Sequence, residues 1–434
     1  MLPQLRRILT PVLFAFLFAF FSYFLYRSPT TPIGSMKSST KAEEVATALL
    51  EDHGLRLQNV TTIQSLWAGY GQICRVAATE NDKAVNSQNP QSYILKLITP
   101  PLTKANDEGH TRKILSYQVE QYFYSRLAPQ MPSSLPVAQC LGSINEYHAD
   151  GTSTTAMMLS DLKQQFPVAG EKRSALSPTQ VHAALDWLSG FHGFWWSRIQ
   201  DLDRPSLVLP PLEEVRRDGQ DATQKSVWLN GGYTYLATRR KEYADLAADD
   251  DSEWNSALTQ QLGTRNESIS ELVATLLAPT GSGSSSTASY QTLIHGDVKS
   301  ENLFTSESGE QVAFYDFQYI GLGLGVCDLA KLFTCSVPLS MLVKDRNVPN
   351  ELSMQDGERI LLERYWLRLK DVDKKDYPWE TFVMHWETAI VDWLRFQASW
   401  GFWGNTEWLE ARARSILKDP RWRDAVVAMT ADQI

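Results

Sequence analysis

The pattern of hydrophobic and polar positions divides the chain into three parts. Residues 8–26, ILTPVLFAFLFAFFSYFLY, are almost wholly apolar, and a linker rich in Ser, Thr and Pro follows them. Apolar runs at Val60–Leu66, Ile73–Ala78 and Tyr93–Ile98 then predict strands. From Pro178 onward, apolar residues recur at helical spacing. The pattern therefore predicts an α+β chain with a small β-rich part and a large helical part.

Helices are also predicted on either side of these strands. Lys41–His53 has an apolar face and ends at Gly54, and Lys113–Leu127 is predicted to be helical up to Pro129. A further strand is predicted at Ala156–Leu159. Polar stretches at residues 81–91 and 280–289 predict loops, and helices are predicted over Pro178–Ser197, Asp218–Leu277 and Gln355–Ile434.

The N-terminal apolar segment is long enough to cross a membrane, because about 20 apolar residues span a bilayer as a helix. Arg6 and Arg7 precede it and Arg27 follows it, so charge does not set its orientation. An uncleaved anchor and a cleaved signal peptide both fit this segment. No small-x-small cleavage site follows directly, which favours a single-pass anchor at residues 8–26. Met36 as an alternative start would give a soluble cytoplasmic form.

Composition excludes two classes of function. The chain of 434 residues has 41 Lys and Arg against 50 Asp and Glu, a formal net charge of -9. It has no basic stripe, which argues against nucleic acid as a partner. The cysteines form no CxxC pair, so neither a zinc site nor a disulfide framework is predicted. They are Cys74, Cys140, Cys327 and Cys335.

The densest group of chemically active residues lies in LIHGDVKSENLFTSESGEQVAFYDFQYIGLGLGVCDLAKL, residues 293–332. Asn302 and Asp316 offer the hard oxygen ligands that Mg²⁺ prefers. Asp297 is a candidate base beside an attacking hydroxyl, and Lys299 could contact a γ-phosphate. A tight loop followed by a hairpin would bring these residues together. The set therefore indicates phosphoryl transfer.

HGDxxxxN followed by a strand ending in DFQ resembles the catalytic core of the aminoglycoside phosphotransferase and choline kinase superfamily, in its ecdysteroid kinase-like branch. The resemblance extends from Ser65 to Asn405. It implies a bilobal protein-kinase-like fold and transfer of the γ-phosphoryl group of ATP, with Mg²⁺, to a hydroxyl of a small molecule. It also implies an N-lobe at residues 36–162 and a C-lobe, with catalytic loop and acceptor pocket, at 163–434. Residues 1–35 are the anchor and linker, and ATP use favours a catalytic part in the cytosol.

The resemblance also implies the nucleotide site. Lys96 matches the family lysine that contacts the α- and β-phosphates, and Glu120 matches its carboxylate partner; a solvated edge-strand lysine is the alternative. Gly69 and Gly71 could let a loop approach phosphate, or could belong to an ordinary hairpin turn. Leu159 lies in MMLSDL, a candidate hinge for adenine whose methionines could equally be core residues.

Several prominent residues have a structural interpretation beside a functional one. We expect His192, His295 and Asp328 to brace the structure rather than to move protons. Spacings of seven place Trp386, Trp393 and Trp400 on one face of a C-terminal helix. Trp403 and Trp408 lie beside that helix. These residues form either a core stripe or an aromatic wall for the phosphoryl acceptor.

Two other functions compete with a small-molecule kinase. A protein kinase is disfavoured because Gly296 and Gln318 replace the arginine of HRD and the glycine of DFG, and no APE segment follows. Loss of Lys96, Asp297, Asn302 or Asp316 would support a catalytically inactive scaffold or nucleotide-binding protein at a membrane, yet all four are present. The sequence determines neither the phosphoryl acceptor nor the oligomeric state.

Deletion of residues 1–35 tests the anchor. The chain that starts at Met36 is expected to move from the membrane pellet to the supernatant, because it lacks the apolar span. Fractionation in alkaline carbonate measures this for both chains. A shortened chain that stays in the pellet would contradict the anchor. A trimmed N-terminus in the full-length protein, detected by intact mass, would identify a signal peptide instead.

Overall fold

The structure is a computed structural model that describes residues 35–81, 90–101, 103, 107–147, 153–217, 225–262, 265–279, 287–373 and 375–431. The anchor predicted at residues 8–26 lies outside these residues, as does most of the loops predicted at 81–91 and 280–289. None of the helices within the described ranges is both long and apolar enough to cross a membrane.

Five antiparallel strands form the sheet of the β-rich part, in the order β1-β2-β3-β5-β4. Every strand predicted in this part is present and longer than predicted. The fourth strand was not predicted, because its sequence CLGSINEY is half buried or exposed and lacks clear alternation. The strands are β1 Leu55–Ser65, β2 Gly71–Glu80, β3 Gln91–Ile98, β4 Cys140–Tyr147 and β5 Ser153–Ser160.

One helix covers each face of this sheet. Helix α1, Ser35–Glu51, begins earlier than predicted, and its apolar residues pack with Met158 on one face. Helix α2, Glu108–Tyr122, lies on the other face, where its Val119 joins the same core as Met157. Adjacent residues of a strand point to opposite faces, so the two methionines serve two separate cores. The core interpretation of these methionines is therefore correct.

The rest of the chain is mainly helical, as predicted, except that residues 225–239, within the helical prediction Asp218–Leu277, form turns and one short 3-10 helix. Helix α3, Pro178–Trp196, begins with a capping box between Ser177 and Gln180. Its Trp187 stacks on Phe191 with ring centroids 4.9 Å apart at the centre of the main core. The other helices are α4 Pro211–Arg217, α5 Arg240–Ala247, α6 Glu253–Thr259, α7 Ile269–Leu277, α8 Val326–Cys335, α9 Leu339–Leu342, α10 Asp356–Asp373, α11 Trp379–Trp400, α12 Thr406–Lys418 and α13 Pro420–Thr430.

Short strands frame the polar motif. Strand β7, Gln291–Ile294, pairs with β10, Gly321–Leu324. Strand β8, Leu303–Thr305, pairs with β9, Val312–Phe314, and with β6, Val168–Ala169. All these pairings are antiparallel. The motif residues therefore lie in the loop between β7 and β8 and directly after β9.

The tryptophans of α11 do not share one environment. Trp386 and Trp393 are buried, whereas Trp400 is 58% exposed. An α-helix drifts by about 20° for each heptad, so the third member of a seven-residue series turns away from the core. Trp386 also donates from Nε1 to the buried Glu358 at 2.9 Å. The core interpretation holds for the first two tryptophans and fails for Trp400.

Candidate active site

Lys96 lies at the centre of the sheet and is buried. Its strand pairs with β2 on one side and with β5 on the other, which rules out an edge-strand lysine. The Nζ atom donates to Glu120 Oε2 at 2.6 Å and to Asp316 Oδ1 at 3.1 Å. The structure therefore joins the predicted pair Lys96 and Glu120 and adds Asp316, 220 residues away along the chain, to it.

Lys96, Asp316 and Glu120 shift one another's pKa values. Burial alone would lower the pKa of Lys96, but the carboxylates of Asp316 and Glu120 raise it above its usual value. Burial would raise the pKa of Asp316, yet the Lys96 ammonium and then Lys299 hold it below its usual value. Burial raises the pKa of Glu120, against the effect of Lys96. Lys96 and Asp316 are therefore both charged at neutral pH.

Asp316 adopts an unusual backbone conformation. Its φ of 65° and ψ of 57° lie in the left-handed region, which Asp tolerates better than most side chains. The next residue, Phe317, is fully buried and stacks on Phe123 with ring centroids 3.9 Å apart. It also lies 4.5 Å from the ring of His295. The buried Phe317 ring thus fixes the direction in which the neighbouring carboxylate leaves the chain.

The loop His295–Asn302, here called the motif loop, gathers the second group of polar residues. The Asn302 Nδ2 group donates to the Asp297 carboxylate at 3.0 Å and to its backbone carbonyl at 2.8 Å. Lys299 Nζ lies 3.0 Å from the same Asp297 oxygen and 3.3 Å from Glu301. Burial would lower the pKa of Lys299, but Asp297 and Glu301 raise it. Asp297 is therefore oriented by one amide and one ammonium.

One buried carboxylate holds the start of this loop. Asp328 accepts the backbone N–H groups of His295 at 2.7 Å and Gly296 at 2.9 Å. His192 lies 3.2 Å from the same carboxylate and 2.8 Å from the Tyr365 hydroxyl. Burial opposes ionisation of Asp328, but the hydrogen bond from His192 and the charges nearby hold its pKa below its usual value. The expected bracing role of these residues agrees with this geometry.

His295 also braces the loop. Its Nε2 lies 2.9 Å from the Tyr315 carbonyl and therefore donates, while Nδ1 accepts the backbone N–H of Asp297 at 3.2 Å. Burial lowers the pKa of His295 despite the nearby carboxylates, which agrees with this neutral tautomer. A neutral ring whose two nitrogens are both engaged positions Asp297 and has no free site for proton transfer.

The glycines between β1 and β2 differ in their surroundings. Gly69 has a φ of 74°, and a Cβ atom built on it would meet nothing within 4 Å. At Gly71 a Cβ atom would lie 2.0 Å from the Leu97 carbonyl oxygen, so close packing on β3 requires that glycine. The hairpin interpretation therefore explains Gly71 by itself, and Gly69 is the glycine with an open side.

The candidate hinge after β5 is partly engaged by the protein. The Ser160 N–H donates to the Gln139 carbonyl at 2.8 Å, and its hydroxyl accepts the Gln139 N–H at 2.9 Å. Leu159 is 8% exposed and belongs to the main core. Asp161 accepts from Arg75 at 3.0 Å and from Ser92 at 2.7 Å. Leu159 is therefore a buried apolar side chain on β5, the strand beside the edge strand β4.

The donor set fits magnesium better than a tightly caged metal. Within the described ranges, no cluster of three or more His, Cys, Asp or Glu side chains could hold an ion. Asn302 uses its Nδ2 on Asp297, which leaves its Oδ1 for another partner. Asp316 uses Oδ1 on Lys96 and retains a second oxygen. Mg²⁺ usually takes one or two protein oxygens and completes its shell with phosphate and water.

An aromatic cluster beside Asp297 was missed by the sequence analysis. Burial and then the charge of Asp297 raise the pKa of Tyr233 and of Tyr319, whose rings lie 5.2 Å apart. The Arg239 guanidinium lies 5.5 Å from the Phe396 ring and 5.1 Å from the Trp400 ring. No short sequence motif contains Tyr233 or Arg239: Tyr233 lies in irregular backbone, and Arg239 directly follows the 3-10 helix Leu236–Thr238. The exposed Trp400 belongs to this cluster rather than to the core.

Comparison with known proteins defines the class. A family model described as the ecdysteroid kinase-like family matches residues 69–348. The match covers more than half of the chain, and this protein therefore belongs to the ecdysteroid kinase-like family. It is an enzyme of the kinase class with an α+β, bilobal, protein-kinase-like fold, as the motifs predicted. No curated protein sequence matches the chain significantly.

Solved structures of three small-molecule kinases are similar at low identity. An amicoumacin kinase in complex with AMP-PNP and Ca²⁺ is 13% identical over 90% of this chain and 96% of its own, with a TM-score of 0.42. Choline kinase LicA from Streptococcus pneumoniae is 12% identical over 89% and 99%, with a TM-score of 0.35. A microcompartment-associated aminopropanol kinase is 11% identical over 89% and 94%, with a TM-score of 0.38.

Asp328→Asn tests whether the Asp328 carboxylate holds the motif loop in place. An amide can accept only one of the two backbone N–H groups, so the free energy of unfolding is expected to fall by about 3 kcal/mol. Denaturant unfolding measures the change. The control is Asp186→Asn, whose carboxylate binds the partly exposed Arg364 at 2.7 Å, and a loss below about 1 kcal/mol is expected there. Equal losses of unfolding free energy in the two variants would contradict the role of Asp328 in holding the motif loop.

Proposed function

We propose that this enzyme transfers the γ-phosphoryl group of ATP, with Mg²⁺, to a hydroxyl group of a small molecule. One observation carries the proposal. Two sets of charged residues that are distant in sequence come together at Asp316. Lys96, which pairs with Glu120, also pairs with Asp316. Lys299, which pairs with Asp297, lies close enough to lower the pKa of Asp316. Phosphoryl transfer needs this combination of a phosphate-binding ammonium, metal-binding oxygens and a base.

Asp297 is the proposed base. Asn302 and Lys299 both bind its Oδ2, and no described residue donates to its Oδ1. The free oxygen can accept the proton of an attacking hydroxyl while the two donors fix the plane of the carboxylate. His295 holds the backbone N–H of Asp297 and keeps the loop from turning.

The nucleotide is proposed to lie between the sheet and the motif loop. Lys96 would bind the α- and β-phosphates, oriented by Glu120, and Lys299 would reach the γ-phosphate. Gly69 is the glycine of the β1–β2 turn whose open side would let phosphate approach the backbone, although its own N–H donates to the Leu66 carbonyl at 3.2 Å. Leu159 would contact the base. Asn302 Oδ1 and the second oxygen of Asp316 would hold magnesium. When bound, that ion neutralises charge on the transferred phosphoryl group.

The lobe boundary at residues 162 and 163 and the membrane anchor are part of the same proposal. The sheet and the motif loop lie on opposite sides of this boundary, so a cleft between the lobes would hold the nucleotide. An anchor at residues 8–26 would place the catalytic part at a membrane surface on the cytosolic side, where ATP is available.

Asp297→Asn separates chemistry from binding. The amide keeps its size but cannot take a proton, so phosphoryl transfer is expected to fall roughly 10²–10⁴-fold while nucleotide affinity is retained. Release of ADP is measured with a pool of amino alcohols, sugars, sterols and aminoglycosides. Asp345→Asn, at an exposed position, is the matched control. Undiminished transfer by Asp297→Asn would remove this residue as the base.

Asp316→Asn tests the metal-binding role. The variant keeps one oxygen but loses the charge, and the magnesium-dependent part of ATP affinity is expected to disappear. Calorimetric titration of ATP with and without Mg²⁺ measures this part directly, with Asp186→Asn as control. A magnesium dependence equal to that of the unaltered enzyme would contradict the assignment. Thermal unfolding without nucleotide shows whether the variant is folded.

A further inference from the structure

The side chain of Gln318 is the part of the DFQ motif that the proposed reaction does not use. It lies in the short 3-10 helix that follows Asp316 and is partly buried. Its Oε1 accepts from the hydroxyl of Ser116 on α2 at 3.3 Å. Its backbone carbonyl accepts from Trp228 Nε1 at 2.8 Å. Gln318 therefore connects the segment that carries Asp316 to helix α2 on one side and to Trp228 on the other.

The same side chain also reaches Glu120, one turn further along α2. Glu120 is buried, and its Oε2 accepts from Lys96 Nζ at 2.6 Å. Burial raises the pKa of Glu120, whereas the Lys96 ammonium and a side-chain hydrogen bond from Gln318 lower it. Residues four apart on a helix lie on one face, so Ser116 and Glu120 can both contact one glutamine. The Gln318 amide thus accepts from Ser116 through its oxygen and donates to Glu120 through its nitrogen.

The two hydrogen bonds of the Gln318 amide differ in strength. An ionised carboxylate only accepts, so the Nε2 group has to face Glu120, and the amide oxygen then faces the Ser116 hydroxyl. That hydroxyl has a single proton, which it shares between Gln318 and the Lys113 carbonyl at 2.8 Å. A hydrogen bond to a charged group is stronger than one between neutral groups. The bond to Glu120 is therefore the more important of the two.

We propose that Gln318 is a positioning residue, which holds Glu120 of α2 against Lys96 and so keeps the Lys96 ammonium directed toward the nucleotide phosphates. The role of Lys96 toward phosphate rests on the proposed function, whereas the bond between Gln318 and Glu120 does not.

The ion pair between Lys96 and Glu120 needs support from a third residue. Lys96 lies in strand β3 and Glu120 on helix α2, so the pair forms only while the helix keeps its place on the sheet. Gln318 belongs to neither element and is itself held by Trp228. A glycine at this position, as in DFG, has no side chain and could contact neither Ser116 nor Glu120. The glutamine of DFQ therefore ties the segment of Asp316 to the carboxylate that orients Lys96.

Gln318→Met tests this role through the affinity for Mg-ATP. The variant keeps the length of the side chain but loses both hydrogen bonds, and calorimetric titration is expected to show roughly tenfold weaker binding. Ser116→Ala is the matched control, because it removes only the weaker bond, and a loss below about twofold is expected there. Equal losses in the two variants would overturn the proposal.

A double-mutant cycle identifies the partner of Gln318. In the Glu120→Gln background the carboxylate is absent, so the addition of Gln318→Met is expected to weaken Mg-ATP binding by less than about twofold further. A further loss of roughly tenfold, as for independent sites, would show that Gln318 does not act through Glu120.

Crystal structures without nucleotide test the positioning by itself. Lys96 Nζ and Glu120 Oε2 are expected 2.6 Å apart in the unaltered protein and more than 4.0 Å apart, beyond the limit for an ion pair, in Gln318→Met. Gln318→Asn, whose amide is one methylene shorter and does not reach Glu120, gives the same comparison should Gln318→Met fail to fold. An intact ion pair in the folded variant would contradict the proposal. Failure of the unaltered protein to bind Mg-ATP would contradict the proposed function instead, and the crystal comparison would still decide the role of Gln318.

Discussion

The buried carboxylate of Asp328 is the interaction on which the site depends. It accepts two successive backbone N–H groups of the motif loop and contacts His192 of α3. One side chain therefore joins α8, α3 and the loop in the fully buried core. Gly296 permits this approach, because its φ of 86° suits glycine and a Cβ atom there would lie 2.3 Å from the Tyr319 carbonyl oxygen. The loop is consequently rigid where it presents Asp297.

The sheet and the helical part are also joined by buried side chains. Phe317 stacks on Phe123, beyond the end of α2, and the adjacent Asp316 reaches Lys96 in the central strand. Two adjacent residues, one through a buried ring and one through an ion pair, thus connect this segment to the sheet and to α2. Packing energy from Phe317 supports the strained left-handed backbone of Asp316. The carboxylate of Asp316 is thereby held in one direction.

An aromatic cluster lies near Asp297. Arg239 donates to the Tyr233 carbonyl at 2.8 Å and lies over the rings of Phe396 and Trp400. The faces of aromatic rings attract cations, and here the Arg239 guanidinium of the protein itself lies over these faces. Arg239 and Phe396 are both buried, so the cluster encloses a fixed positive charge, and Trp400 at the end of α11 extends the cluster to solvent.

The sequence by itself determined the order of the elements and the class of enzyme. Apolar runs located four of the five sheet strands, and HGDxxxxN with DFQ predicted Asp297, Asn302 and Asp316 as site residues, because apolar runs and short motifs are formed by neighbouring residues. Tertiary structure alone decided that Gly71 serves strand packing, that Trp400 leaves the core, and that Arg239 joins an aromatic cluster near Asp297. Those properties depend on contacts between residues far apart in the chain, which no local pattern contains.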